Sequence, residues 1–133
     1  MQSPARVVIR SDADIVTARA TGRALAGELG FNSTDATVIA TAVSEVARNI
    51  VQHAGRGEIV VEPIREEGRV GIRIVARDYG PGIPDVEQAL QPGYSTASSL
   101  GLGLPGAKRL MDEFEIVSEL GRGTTVTMKK WER

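Results

Sequence analysis

The sequence predicts an α+β domain, a two-layer sandwich with helices on one face of a mixed or antiparallel sheet. Three observations point there. Runs of β-branched residues and helical segments follow in the order β-α-α-β-β-loop-α-β-β. Two pairs of those runs are joined by polar, glycine-bearing turns, which marks hairpins and hence antiparallel pairing. Two helical segments carry apolar stripes on one side only, so a sheet face must cover them. At 133 residues the chain reads as one domain, residues 1–133.

Residues 5–10 read as the first strand, with Val7, Val8 and Ile9 at its centre. Ser11 and Asp14 have the spacing of a capping box. Ile15, Ala18, Gly22, Leu25, Ala26 and Leu29 then recur at helical spacing until Gly30, and Phe31 is placed to pack under the turn. Asn32 or Ser33 caps a second helix. Its stripe is Ala36, Ile39, Ala40, Val43, Val46, Ala47 and Ile50, and it ends near Gly55. Residues 58–64 and 69–77 read as a hairpin about the turn 65–68. Periodicity is lost between Asp78 and Gly103, and a loop of that length inside a small domain is commonly functional. Pro105 suits the first turn of a third helix through Ala107, Leu110 and Met111. Residues 115–119 and 124–131 form the last hairpin.

Composition narrows the function. With no cysteine there is no disulfide and no thiolate metal site, in keeping with a reducing, cytoplasmic setting. A net charge of −1 with both signs interspersed argues against nucleic acid or a membrane surface as partner. Aromatic residues are 4% of the chain, too few for a base-stacking platform. No apolar run reaches the ~20 residues of a membrane span.

The candidate site residues lie in four places. Glu45 and Asn49, four apart in the second helix, share one face at about 40° separation, roughly opposite the apolar stripe. A carboxylate there can take a proton, and a neutral amide oxygen can hold a hard cation such as Mg²⁺ beside phosphates. Taken alone, such a pair is more often a solvated helix back. Asp78 ends a strand and precedes Gly80 and Gly82 in the turn Asp78-Tyr-Gly-Pro-Gly-Ile-Pro84. Turn chemistry alone explains such a carboxylate; the functional alternative is an acceptor for an exocyclic amine, with glycines keeping the backbone thin. Residues Gly101 to Gly106 match G-x-G-x-x-G, yet no good strand precedes them, so a dinucleotide fold is not indicated. What remains is a glycine loop, Gly101-Leu102-Gly103, opening a helix whose free N–H groups suit phosphate. Lys108 stands one turn further on, and Thr124 follows Gly123. His53, the single histidine, suits packing or a hydrogen bond better than phosphate transfer.

In this order, Glu45-x-x-x-Asn49, Asp78-x-Gly80-x-Gly82, Gly101-x-Gly103 and Gly123-Thr124 resemble the motifs of the gyrase, chaperone, histidine-kinase and MutL ATPase superfamily. Further segments, Asp14-Ile-Val16, Glu28-Leu-Gly-Phe31, Ser44 to Ile50, Asp78 to Asp85 and Gly103 to Phe114, look like the switch branch of the small bacterial anti-sigma-factor kinases. The likeness runs from about Ser11 to Trp131. It implies the histidine-kinase-like ATPase (Bergerat) sandwich and a pocket for ATP and Mg²⁺. It also implies roles: Glu45 as general base, Asn49 as Mg²⁺ ligand, and Asp78 on the adenine amine with Gly80, Gly82 and Thr124. Gly101, Leu102 and Gly103 would wrap the phosphates, and residues 91–100 would form a lid; Lys108, read from its position alone, can neutralise phosphate, although such a lysine is more often merely solvated. The switch branch phosphorylates Ser or Thr on STAS-domain antagonist proteins and, once released, activates a protein phosphatase of the PP2C type within a stress-sensing assembly. Residues 94–100 lack the basic residue typical of the sporulation branch, which favours the switch branch; Ile50-Val-Gln-His53 is closer to the other. Sequestering a sigma factor is therefore the alternative, and a detached histidine-kinase ATPase domain a third. The resemblance leaves room for a homodimer.

Overall fold

A computed structural model of the chain describes residues 3–83, 86, 90 and 103–133. Its strands are β1 (Ala5–Ile9), β2 (Gly57–Glu66), β3 (Arg69–Asp78), β4 (Glu113–Glu119) and β5 (Gly123–Trp131). Its described helices are α1 (Asp12–Glu28), α2 (Ser33–His53) and α3 (Gly103–Leu110).

Local chemistry sets the helix ends. Asp14 Oδ2 accepts the backbone N–H of Ser11 at 3.1 Å and of Arg10 at 2.8 Å, occupying donors that the first turn of α1 cannot. Gly30, at φ +95°, takes the left-handed conformation just past α1, and Phe31 N–H returns to the Ala26 carbonyl at 3.0 Å. Phe31 is buried beneath that turn. Of the two caps considered for α2, Asn32 is the one used: its side-chain oxygen accepts from Asp35 N–H at 2.7 Å. At the other end of the fold, Lys130 Nζ donates to the Leu110 carbonyl at 3.2 Å and closes the C-terminus of α3.

The sheet order is β1-β2-β3-β5-β4, and every neighbouring pair is antiparallel. The sheet is thus antiparallel throughout rather than mixed. The β2–β3 ladder runs from Gly57↔Asp78 to Glu66↔Arg69, so both strands are longer than their apolar runs suggest. Glu67 and Gly68, at φ 52° and 80°, form a two-residue turn that lets pairing continue to the hairpin tip. Likewise β4 starts at Glu113, two residues before its predicted start.

Alternation along the strands separates the two faces. Ile59 and Val61, Ile72 and Ile74, and Val126 and Met128 point to the helices and are buried with Ile9, Ile39, Val43, Val46 and Ile50. The opposite face has no helix on it among the described residues and carries cross-strand ion pairs instead. Arg6 pairs with Glu58, Arg73 with Glu62, and Lys129 with Glu66. The Glu58 carboxyl is held below the ordinary carboxylate range, chiefly by its hydrogen bond from Arg6. A depressed carboxylate favours folding at neutral pH and loses that contribution as pH falls through its folded value; at this solvated site the effect is small. At one end of the same face, the Arg69 guanidinium lies 4.1 Å from the centroid of the Trp131 ring. Gly71 leaves room for that ring, since a β-carbon there would stand 2.7 Å from it.

Ile74 is fully buried in β3, between the helices and the sheet centre. Ile74→Ala is expected to lower the free energy of unfolding by about 2–5 kcal/mol, read from a denaturant titration.

Candidate functional site

The C-terminal half of α2 is the spine of the site. Ten residues of α2 are buried, because the helix packs against α1, α3 and the sheet at once. Glu45 is among them at 5% exposure. The face opposite the apolar stripe is therefore not a solvated back: α3, brought in from far along the chain, covers it. Glu45 Oε1 accepts the backbone N–H of Gly103, the first residue of α3, at 3.1 Å. The same oxygen accepts from Arg48 Nη1 at 3.0 Å. A carboxylate at a helix start meets free N–H groups and the positive end of the helix dipole.

Asn49, one turn beyond Glu45, is half-buried. Its amide makes no side-chain hydrogen bond among the described residues. The turn after β3 abuts the end of α2: a β-carbon on Gly80 would lie 2.6 Å from the Ala54 β-carbon. Glycine is what allows this approach.

Asp78 organises the other side. It is 6% exposed, and its Oδ1 accepts two backbone N–H groups, from Gly80 at 3.0 Å and from Thr124 at 3.1 Å. Its Oδ2 takes no hydrogen bond among the described residues, whereas Oδ1 is anchored. Thr124 Oγ1 lies 2.9 Å from Ser118 Oγ, which also accepts Ile83 N–H at 2.7 Å. Gly82, at φ +84°, sits against the Glu119 carbonyl, where a β-carbon would come within 2.5 Å. Gly121 N–H bonds the Pro81 carbonyl at 2.9 Å. The acidic turn, the start of β5 and the β4–β5 connection are thus one hydrogen-bonded unit.

Of the residues singled out in the sequence, Glu45 and Gly103 are in direct contact, and Asp78, Gly80 and Thr124 form the second cluster. Gly101 and Leu102, with the segment 91–100, lie outside the described residues. Lys108 is exposed on α3 and makes no ion pair among the described residues, and His53 is exposed. Two contributors were not anticipated. Ser118 has no motif to announce it. Arg48 has a signal, its i,i+3 spacing from Glu45. Among the described residues no group of three or more His, Cys, Asp or Glu is placed to hold a metal, and no helix is long and apolar enough to cross a membrane.

A helix bundle on one face of an antiparallel sheet, with a buried carboxylate bonded to a helix start and a glycine-shaped acidic turn at a strand end, is the sandwich of a histidine-kinase-type ATPase domain. The chain belongs to the histidine kinase-like ATPase domain family, whose model matches residues 10–130. It is 48% identical to the serine/threonine-protein kinase RsbT of Bacillus subtilis (strain 168) over 133 residues, the whole of both chains. It is 37% identical over 120 residues to the anti-sigma F factor of Geobacillus stearothermophilus, covering 85% of this chain and 81% of that one. Among solved structures, the mycobacterial sensor histidine kinase MprB superposes with a TM-score of 0.57 at 16% identity, covering 100% of this chain and 99% of that one. At that identity the likeness is one of fold. The full-length match places the chain with the protein serine/threonine kinases of the family.

Gly123, at φ +113°, presses its backbone onto Asp78: a β-carbon there would meet the Asp78 carbonyl oxygen at 2.2 Å. Gly123→Ala is expected to lower the thermal midpoint by displacing Asp78. A strained position of this kind costs about 1–3 kcal/mol, and calorimetry on the variant reads the effect.

Proposed function

We propose that this chain transfers the γ-phosphoryl group of ATP to a serine or threonine of a STAS-domain antagonist in a bacterial stress-signalling partner switch. Once released, it activates a PP2C-type phosphatase. The observation that carries this reading is the placement of Glu45: a buried carboxylate, one turn from an amide with no side-chain bond among the described residues, bonded to Gly103 at the start of α3. Phosphoryl transfer asks mainly for positioning and charge neutralisation, and this arrangement supports the positioning.

The residues present fit ATP and Mg²⁺. Asn49 offers a neutral oxygen, and Mg²⁺ keeps several waters and phosphate oxygens as ligands, so one protein ligand suffices. Bound ATP with Mg²⁺ supplies the electrophilic phosphorus and the neutralising charge. In this reading Asp78 Oδ2 accepts from the adenine amine while Gly80 and Thr124 hold Oδ1 in place. Gly82 keeps backbone close to the nucleotide, the role the motif order implies for Gly101 to Gly103. Glu45 receives the proton of the acceptor hydroxyl as that oxygen bonds to phosphorus and ADP leaves. A partner that brings the hydroxyl completes the site, so turnover is slow in its absence.

The extent of likeness supports the switch-kinase partners over the alternative, since the kinase match spans both chains fully and at higher identity. The anti-sigma F factor matches keep the second reading in view, a nucleotide-dependent hold on a sigma factor. Incubation with γ-labelled ATP and a purified STAS-domain protein from the same genome separates them. Label on a serine or threonine of the STAS protein is the expected result. No label, together with co-purification of a sigma factor, selects the alternative.

Glu45→Ala is expected to keep ATP binding and to lose transfer by about 100-fold or more, the usual weight of a general base; wild-type transfer would remove Glu45 from the chemistry. Asn49→Ala is expected to abolish the Mg²⁺-dependent part of ATP affinity, and Asp78→Asn to weaken affinity itself. Both are read by calorimetry with and without Mg²⁺.

A further inference from the structure

Arg48 precedes Asn49 in α2 and faces Glu45. Its side chain is 33% exposed, whereas that of Glu45 is 5% exposed, and the two meet at 3.0 Å. An arginine on a helix ordinarily extends its head group into water. This one turns back along the helix to a buried carboxylate. Arg19 of α1, another cation near this part of α2, donates to Ser44 Oγ at 3.3 Å. On α3, Lys108 and Arg109 are exposed. Among the described residues, Arg48 is the cation in ion-pair contact with Glu45.

A single oxygen, Oε1, carries both the Arg48 and the Gly103 contacts. Two donors from different directions on one oxygen restrict the swing of the carboxylate about its last torsion, which is otherwise broad. The guanidinium also offsets the cost of burying the charge, which is large for an unpaired ion. The Gly103 contact depends on where α3 begins, whereas Arg48 sits on the same rigid helix as Glu45.

We infer that Arg48 is a positioning residue for phosphoryl transfer, fixing the Glu45 carboxylate in the orientation in which it takes the acceptor proton. This rests on the reading of Glu45 as the base. It predicts a specific division of effects. Removing Arg48 lowers kcat and leaves ATP affinity and KM for ATP unchanged, because Asp78 and Asn49 are untouched.

The test uses the full chain in five forms: wild type, Arg48→Ala, Arg48→Lys, Glu45→Gln and the double variant Arg48→Ala with Glu45→Gln. The first readout is phosphate release from γ-labelled ATP with Mg²⁺, water serving as acceptor. Arg48→Ala is expected to lower kcat about tenfold or more at unchanged KM, Arg48→Lys to recover part of it, and Arg48→Ala to add nothing in a Glu45→Gln background. The second readout needs no turnover: the ¹³C resonance of the Glu45 side-chain carboxyl, assigned by its loss in Glu45→Gln. It is expected to move in Arg48→Ala and to move back toward wild type in Arg48→Lys. An unmoved resonance overturns the inference. So does wild-type kcat in Arg48→Ala while Glu45→Gln is inactive, and so does an equal fall in kcat and thermal midpoint that lysine does not restore. Wild-type kcat in Glu45→Gln overturns the base reading itself and this inference with it.

Discussion

Helix α2 has no free side along most of its length, and the rest of the architecture follows from that. A helix covered by a sheet, a second helix and a third must be apolar or paired at nearly every position. The chain meets this with alanine, valine and isoleucine toward α1 and the sheet. Toward α3 it uses an acid, and the burial of that acid is tolerable because a helix start and an arginine meet it. One crowded helix therefore holds the core and the charge together. Packing that fixes Val43 and Val46 also fixes the direction in which Glu45 leaves the backbone.

Asp78 plays the complementary part on the sheet side. Its position at the end of β3 places it opposite Gly57 in one ladder and beside the start of β5 in the other. Two backbone donors on one oxygen make the carboxylate a fixed part of the sheet rather than a mobile surface group. The glycines around it are there for contact distance as much as for conformation. Gly80 meets α2 and Gly82 meets the β4–β5 connection, so the acidic turn is clamped between both layers of the sandwich.

Much of this was legible in the sequence, for identifiable reasons. Helix ends were readable because Asp14, Gly30 and Asn32 act through their own neighbours. The hairpins were readable from polar turns between apolar runs. The motif order of Glu45, Asn49, Asp78 and Thr124 was readable because each has a fixed chemical type at a fixed spacing. The burial of Glu45 was not, since the atom that meets it belongs to a residue 58 positions away. Nor was the role of Ser118, whose partners Ile83 and Thr124 come from two different connections. Strand ends were underestimated where charged residues such as Glu66 and Glu113 continue a ladder, because pairing depends on the backbone and not on polarity.

Strand β4 ends the sheet with one side unpaired among the described residues, and its outward-facing side chains are Glu113, Glu115, Val117 and Glu119. Two such edges brought together would align carboxylates against carboxylates. Glu113 and Glu119 also meet Lys129 and Arg122, so the row is partly compensated, yet its carboxylates still disfavour ribbon-like self-association along the margin left unpaired among the described residues. The row is weakest at Val117, which is 54% exposed. In a crowded cell, the same row would let the molecule keep a bare sheet margin without polymerising along it.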